Sequence, residues 1–240
     1  MKKYVMSLKL FSVTTLGLIL LLLSCNQEEL FYSCDPAIDS WVKENKETIN
    51  VMSMDEFSSL DRDYQKASYI AFSPKQKKEI WVTKFTRVLN LDWKEDEKEH
   101  LEKLLLALDD YPNIFLTNCS EEYKDKFKVW IYQWINDGII HFSWSPEFMK
   151  NLLFSPNPLL NKEGDIKVGT IPMANQVKTR GENTGNNPKC NCNSNSNYGE
   201  GFAWDDCSQD SHCVEGYRKC KTRSVGCGLM YLDACDGYCW

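Results

Sequence analysis

The sequence predicts a mainly α protein: a small helical domain, then a flexible linker, then a small disulfide-rich C-terminal module. Three observations carry this. Residues 35–160 repeat helix-start signals, each followed by apolar residues at helical spacing. Residues 161–189 make a connector, because from Met173 to Lys189 large apolar residues almost vanish and Asn, Gly and Thr take over. Residues 190–240 hold eight of the chain's 11 cysteines.

The chain opens with the three parts of an export signal over residues 1–24. Lys2 and Lys3 give a positive start, Leu10 to Leu23 a mostly apolar run, and Leu22-Leu23-Ser24-Cys25 a small residue before a cysteine. The run is short for a transmembrane span. A cysteine at that place resembles a bacterial lipobox, which implies cleavage before Cys25 and a lipid on its sulfur, so the membrane becomes a partner through Cys25. A plain secretory signal with an incidental Cys25 is the alternative. Asn26, Gln27, Glu28 and Glu29 follow. They resemble the surface-export signal of Bacteroidetes lipoproteins, which implies an outer-membrane lipoprotein facing outward. The alternative is that these four are only the solvated start of the tether, residues 25–34.

In the body, Asp35 and Pro36 offer an N-cap and a first helical proline. Ser53 to Glu56 is a capping-box pattern, and Ser73-Pro74 repeats the Ser-Pro start. Trp81, Phe85, Val88 and Leu89 then share a face. So do Leu101, Leu104, Leu105 and Leu108, and again Phe127, Trp130, Ile131, Trp134 and Ile135. A last short helix starts at Ser145-Pro146. The aromatic stripes admit a carbohydrate- or ligand-binding reading, but their spacing is that of core.

The formal net charge is −6, and removal of residues 1–24 takes Lys2, Lys3 and Lys9 with no acid, which moves it to −9. An acidic chain without a long basic stripe argues against nucleic acid as a partner. HExxH, GxSxG and a phosphate-cradling glycine loop are all missing from the sequence, so no enzymatic activity and no cofactor is expected. The three histidines are scattered. His100 lies among Glu97, Lys98 and Glu99, a solvated stretch, and His212 lies in the tail. Cys119 and His141 form a conceivable thiol–imidazole pair. The preferred expectation pairs Cys119 with Cys34, since export oxidises thiols.

The tail cysteines are Cys190, Cys192, Cys207, Cys213, Cys220, Cys227, Cys235 and Cys239. The aliphatic residues among them, Val214, Val225, Leu229, Met230 and Leu232, are too few to build a core unaided. An even count in an exported chain predicts four disulfides in one of 105 pairings. A zinc module needs C-x2-4-C pairs, and only Cys235 with Cys239 fits that spacing. Lys178 and Arg180 in the linker are candidate processing sites for a trypsin-like protease, which would free the tail. Trp204, Tyr217, Tyr231 and Trp240 are candidate interfacial aromatics. Arg218, Lys219, Lys221 and Arg223 form either a basic patch for anionic headgroups or a solvated loop.

The order C-x-C, a Ser/Asn-rich stretch, three spaced cysteines and then "VGCGLMYLDACDGYCW" resembles the cysteine-rich bacteriocin fulvocin C. "SYIAFSPKQKKEIWVTKFTRVLNLDW" is similar to the N-terminal part of the fulvocin C-related proteins of Bacteroidetes. The resemblance implies a bacteriocin-like precursor, a helical region ahead of a disulfide peptide, with a target-cell surface or receptor as partner. The lipobox departs from a simple secreted bacteriocin: a lipid-held toxin acts by contact or after release. The alternative function is a non-toxic surface binding or adhesion lipoprotein.

Overall fold

The computed structural model describes residues 31–167, 169, 192, 213–215 and 225–239, with only the backbone at 213–215, 238 and 239. Among these residues the protein is mainly helical. The helices are α1 (Pro36–Glu44), α2 (Lys46–Ile49), α3 (Met54–Ser59), α4 (Arg62–Ala71), α5 (Pro74–Leu89), α6 (Glu95–Asp110), α7 (Glu121–Phe142) and α8 (Pro146–Leu153). The signal and tether up to residue 30 lie outside the described residues, as do Cys25, Lys178 and Arg180.

The helix starts follow their caps. The Asp35 carboxylate accepts from the amides of Ala37 and Ile38, with Pro36 in the first turn. Ser53 with Glu56, and Ser73 with Gln76, close full capping boxes on α3 and α5. The Ser120 and Ser145 side chains accept from the amides of Tyr123 and Phe148 at α7 and α8. α7 ends at Ser143, a non-glycine residue at φ 56°. The predicted stripes are core: Trp81, Phe85, Val88, Leu101, Leu104, Leu108, Phe127, Ile131, Trp134 and Ile135 are buried in one cluster, with Leu89, Leu105 and Trp130 packed on its edge.

The expected linker begins too early. Residues 161–167 fold back on α8: Leu159 bridges Ile166, and the Leu160 amide donates to Asp165 O at 2.7 Å. Gly164, buried at φ +99°, lies so close to Phe148 that a Cβ would stand 2.6 Å from its Cα. The Asn151 side-chain amide donates to Gly164 O at 3.0 Å. The helical body therefore extends to at least residue 167.

The cysteine-rich region contributes a small antiparallel pair, β1 (Cys213–Glu215) with β2 (Gly237–Cys239), in register Cys213 to Cys239. Cys192 bridges Gly237. Between Cys227 and Asp233 the chain makes a tight loop with a one-turn 3-10 segment at Leu229–Tyr231. A disulfide joins Cys227 to Cys235. Among the described residues, Val225, Leu229, Met230, Tyr231 and Leu232 belong to the same buried cluster as the helices. The closing loop is thus built into the body. Its own apolar set is too thin for a separate core, and the helices supply the missing surface.

Candidate functional site

The loop docks on a socket made by α4, α5 and α7. Tyr231 is 2 % exposed and Met230 0 %. The Tyr231 ring stands edge-on to Tyr69, with centroids 5.2 Å apart, and edge-on to Trp81 at 6.4 Å. The Trp81 indole N–H donates to the Tyr69 hydroxyl at 3.1 Å. That hydroxyl in turn donates to Met230 O at 3.2 Å, so the hydroxyl is satisfied on both sides. Burial holds the Tyr69 phenol neutral, pushing its pKa well above the usual range.

Lysines line the rim, Lys66 and Lys77 buried and Lys128 partly so. Lys66 Nζ lies 5.6 Å from the Tyr231 centroid and 3.4 Å from Cys227 Sγ. Lys77 sits over Tyr69 at 5.6 Å. Lys128 of α7 pairs with Asp233 at 2.6 Å, both side chains largely out of water. Behind them Lys84 lies over Trp81 and donates to the carbonyls of Asn151 and Ser155 at the end of α8. This is the favourable end of a helix for a cation. Burial still lowers its pKa well below the normal lysine value.

The loop conformation is unusual. Met230 and Tyr231 both take positive φ, 47° and 56°, and the Leu232 amide closes back on Leu229 O at 3.0 Å. Two positive φ values at the centre of such a turn define the type I′ pattern, which Gly and Asn normally occupy. Each left-handed residue costs about 1–2 kcal/mol. Burying the side chain it carries returns about 1.5–3 kcal/mol. Bulky residues hold this shape because the socket takes their side chains. Gly226 at φ +120° is required as well: a Cβ there would lie 2.8 Å from an Ile70 side-chain carbon.

Several expectations change here. Tyr231 is a core anchor, so its role as an interfacial aromatic is withdrawn. Its partners Trp204, Tyr217 and Trp240, and the basic stretch Arg218, Lys219, Lys221 and Arg223, lie outside the described residues. His100 is buried, where a solvated position was expected. It stacks on Trp134 at 4.8 Å, and its Nε2 meets Trp134 O at 2.9 Å. Its place on α6 faces α7, which the local run of charges concealed. The Cys34–Cys119 bridge is absent. Cys119 is a free, half-buried thiol in the turn before α7, while Cys34 is disulfide-bonded. The thiol–imidazole pair also falls: Cys119 and His141 sit at opposite ends of α7, about 30 Å apart along the helix. Burial moreover raises the Cys119 pKa, which disfavours the thiolate. Cys192 is disulfide-bonded, and the pairings of Cys190, Cys207, Cys213, Cys220 and Cys239 lie outside the described side chains.

Sequence reasoning missed the socket. The one available signal was the unbroken apolar run Leu229-Met230-Tyr231-Leu232 between cysteines, in a module otherwise poor in such residues. Lys66, Lys84 and Lys128 gave none, because lysine patterns read as solvated faces. No family model, no curated protein and no solved structure matches this chain.

Proposed function

We propose that the chain is an exported lipoprotein, anchored through Cys25, whose helical body presents a bacteriocin-like cysteine module at the outer cell surface. The module acts by contact with a receptor on a neighbouring cell while still attached. The observation that carries this is the burial of Leu229, Met230, Tyr231 and Leu232 in the helical core. Release would expose all four to water, whereas action in place leaves them covered. No catalytic step is part of this reading. The same burial favours a second reading, a non-toxic binding or adhesion lipoprotein, since a fixed module also suits a passive ligand.

The experiment compares three preparations on related bacteria: cells displaying the chain, cells displaying a Cys25→Ala chain, and cell-free supernatant. Contact-dependent growth inhibition by the first alone supports the proposal. Inhibition by supernatant carrying a tail fragment points to a released toxin. Surface binding without inhibition leaves the adhesion reading.

A further inference from the structure

We propose that the helical body is a non-covalent clamp for its own C-terminal module, so that cutting the linker does not by itself release the tail. Tyr231 is the anchor and the Tyr69–Trp81 pair is its seat. This does not depend on whether the module is toxic.

Five observations converge. The anchor residues share the body's core, so separation would open that core to water on both sides. Polar pins sit on both flanks of the anchor: the Tyr69 hydroxyl donates to Met230 O, and Lys128 pairs with Asp233 at 2.6 Å. Pulling the loop away leaves each of these groups to find new partners. The fit is also close at the backbone, where Gly226 lies against Ile70 with no room for a Cβ. Finally, the Cys227–Cys235 disulfide clips the base of the loop, so it enters the socket already shaped and loses less freedom on docking. The positive φ of Met230 and Tyr231 adds to the case: the shape is one that bulky residues seldom take, and the socket is what rewards it.

A consequence follows for Lys178 and Arg180. A protease acting there yields a nicked two-fragment complex. Freeing the module then needs a second event that displaces Tyr231.

The test uses the oxidised chain from residue 26 onward, cut to completion at the linker and passed over a size-exclusion column in native buffer. A denaturing gel without reductant is run in parallel, together with a Cys34→Ser chain, so that a disulfide from Cys34 does not stand in for the clamp. The expected result is co-elution on the native column and two bands on the gel for Cys34→Ser. Tyr231→Ala should speed dissociation of the nicked complex roughly a hundredfold or more. Should either variant lose its helical circular dichroism, hydrogen exchange on the nicked wild type replaces it. Unchanged protection of residues 226–233 and of Tyr69 to Trp81 then supports the clamp. Separation of the nicked Cys34→Ser fragments, or loss of that protection on nicking, overturns it.

Discussion

Tyr231 meets Tyr69 edge-on, at 87° and 5.2 Å between ring centroids, across 162 positions of sequence. One ring belongs to the cysteine-rich loop and the other to the helical body. A buried aromatic pair of this kind contributes beyond its area. It makes the loop and the helices a shared structure.

Replacing Tyr231 with Ala should therefore destabilise the whole chain. The loss expected for a buried aromatic is about 3–5 kcal/mol. In a domain of this size that lowers the melting temperature by roughly 6–20 °C. Circular dichroism of the helices is the readout, although the mutation lies in the tail. Ile140→Ala, at an exposed position on α7, should change stability by less than about 0.5 kcal/mol.

His100 should make the body acid-sensitive. Its pKa is lowered, first by burial and then by Lys103 and His141, against opposing contributions from the Trp134 carbonyl and Asp137. The unfolded chain therefore binds its proton at a higher pH than the folded one. Stability from this residue is complete above about pH 6.5 and falls as pH drops below it. His100→Phe, which keeps a ring against Trp134, should show a smaller fall in urea midpoint between pH 7 and pH 5 than the wild type. An identical fall in both chains would remove His100 as the cause.

Lys84 should act on the alkaline side. Its folded pKa lies well below normal, so between the folded and unfolded pKa the unfolded chain binds more protons, and raising pH stabilises the fold through this group. The gain continues until the unfolded lysine titrates near pH 10.4. The opposing effect of Tyr69 begins only near pH 10, where the unfolded phenol ionises. Between pH 7 and pH 9, wild-type stability should rise relative to Lys84→Met, which lacks the titration. A flat difference over that window would count against it.

Cys119 should react when the unreduced chain is denatured and labelled. Peptide mapping should place the label there, and no peptide should join Cys34 to Cys119. Native labelling should be slow, because burial raises the thiol's pKa.

Lipidation is tested by growth with a fatty-acid analogue. The wild-type chain should take up label and Cys25→Ala should not. Equal labelling of both would end the anchor proposal.

The helices were legible because caps and stripes are local. Asp35 with Pro36, Ser53 with Glu56 and Ser73 with Gln76 announce helix starts within four residues, and the Phe127 to Ile135 stripe announces a core face. The socket was illegible because its members meet only in the fold. Tyr69, Trp81, Lys128 and Tyr231 come from four separate segments, and His100 is charged-looking by its neighbours yet stacked by its tertiary position. The cysteine count suggested a self-contained module. The run Leu229 to Leu232 inside it reads as too thin a core that disulfides replace, and only the fold shows it sharing the core of the helices.

The most direct measurement follows two events in one urea series on the oxidised chain: loss of helical circular dichroism, and reduction of Cys227–Cys235 in a short pulse of thiol reductant, read by peptide mass. Both sulfurs are buried where the loop meets the helices. If loop and body are one cooperative unit, the two midpoints coincide. Reduction of Cys227–Cys235 at urea concentrations where the helices remain intact would contradict the account.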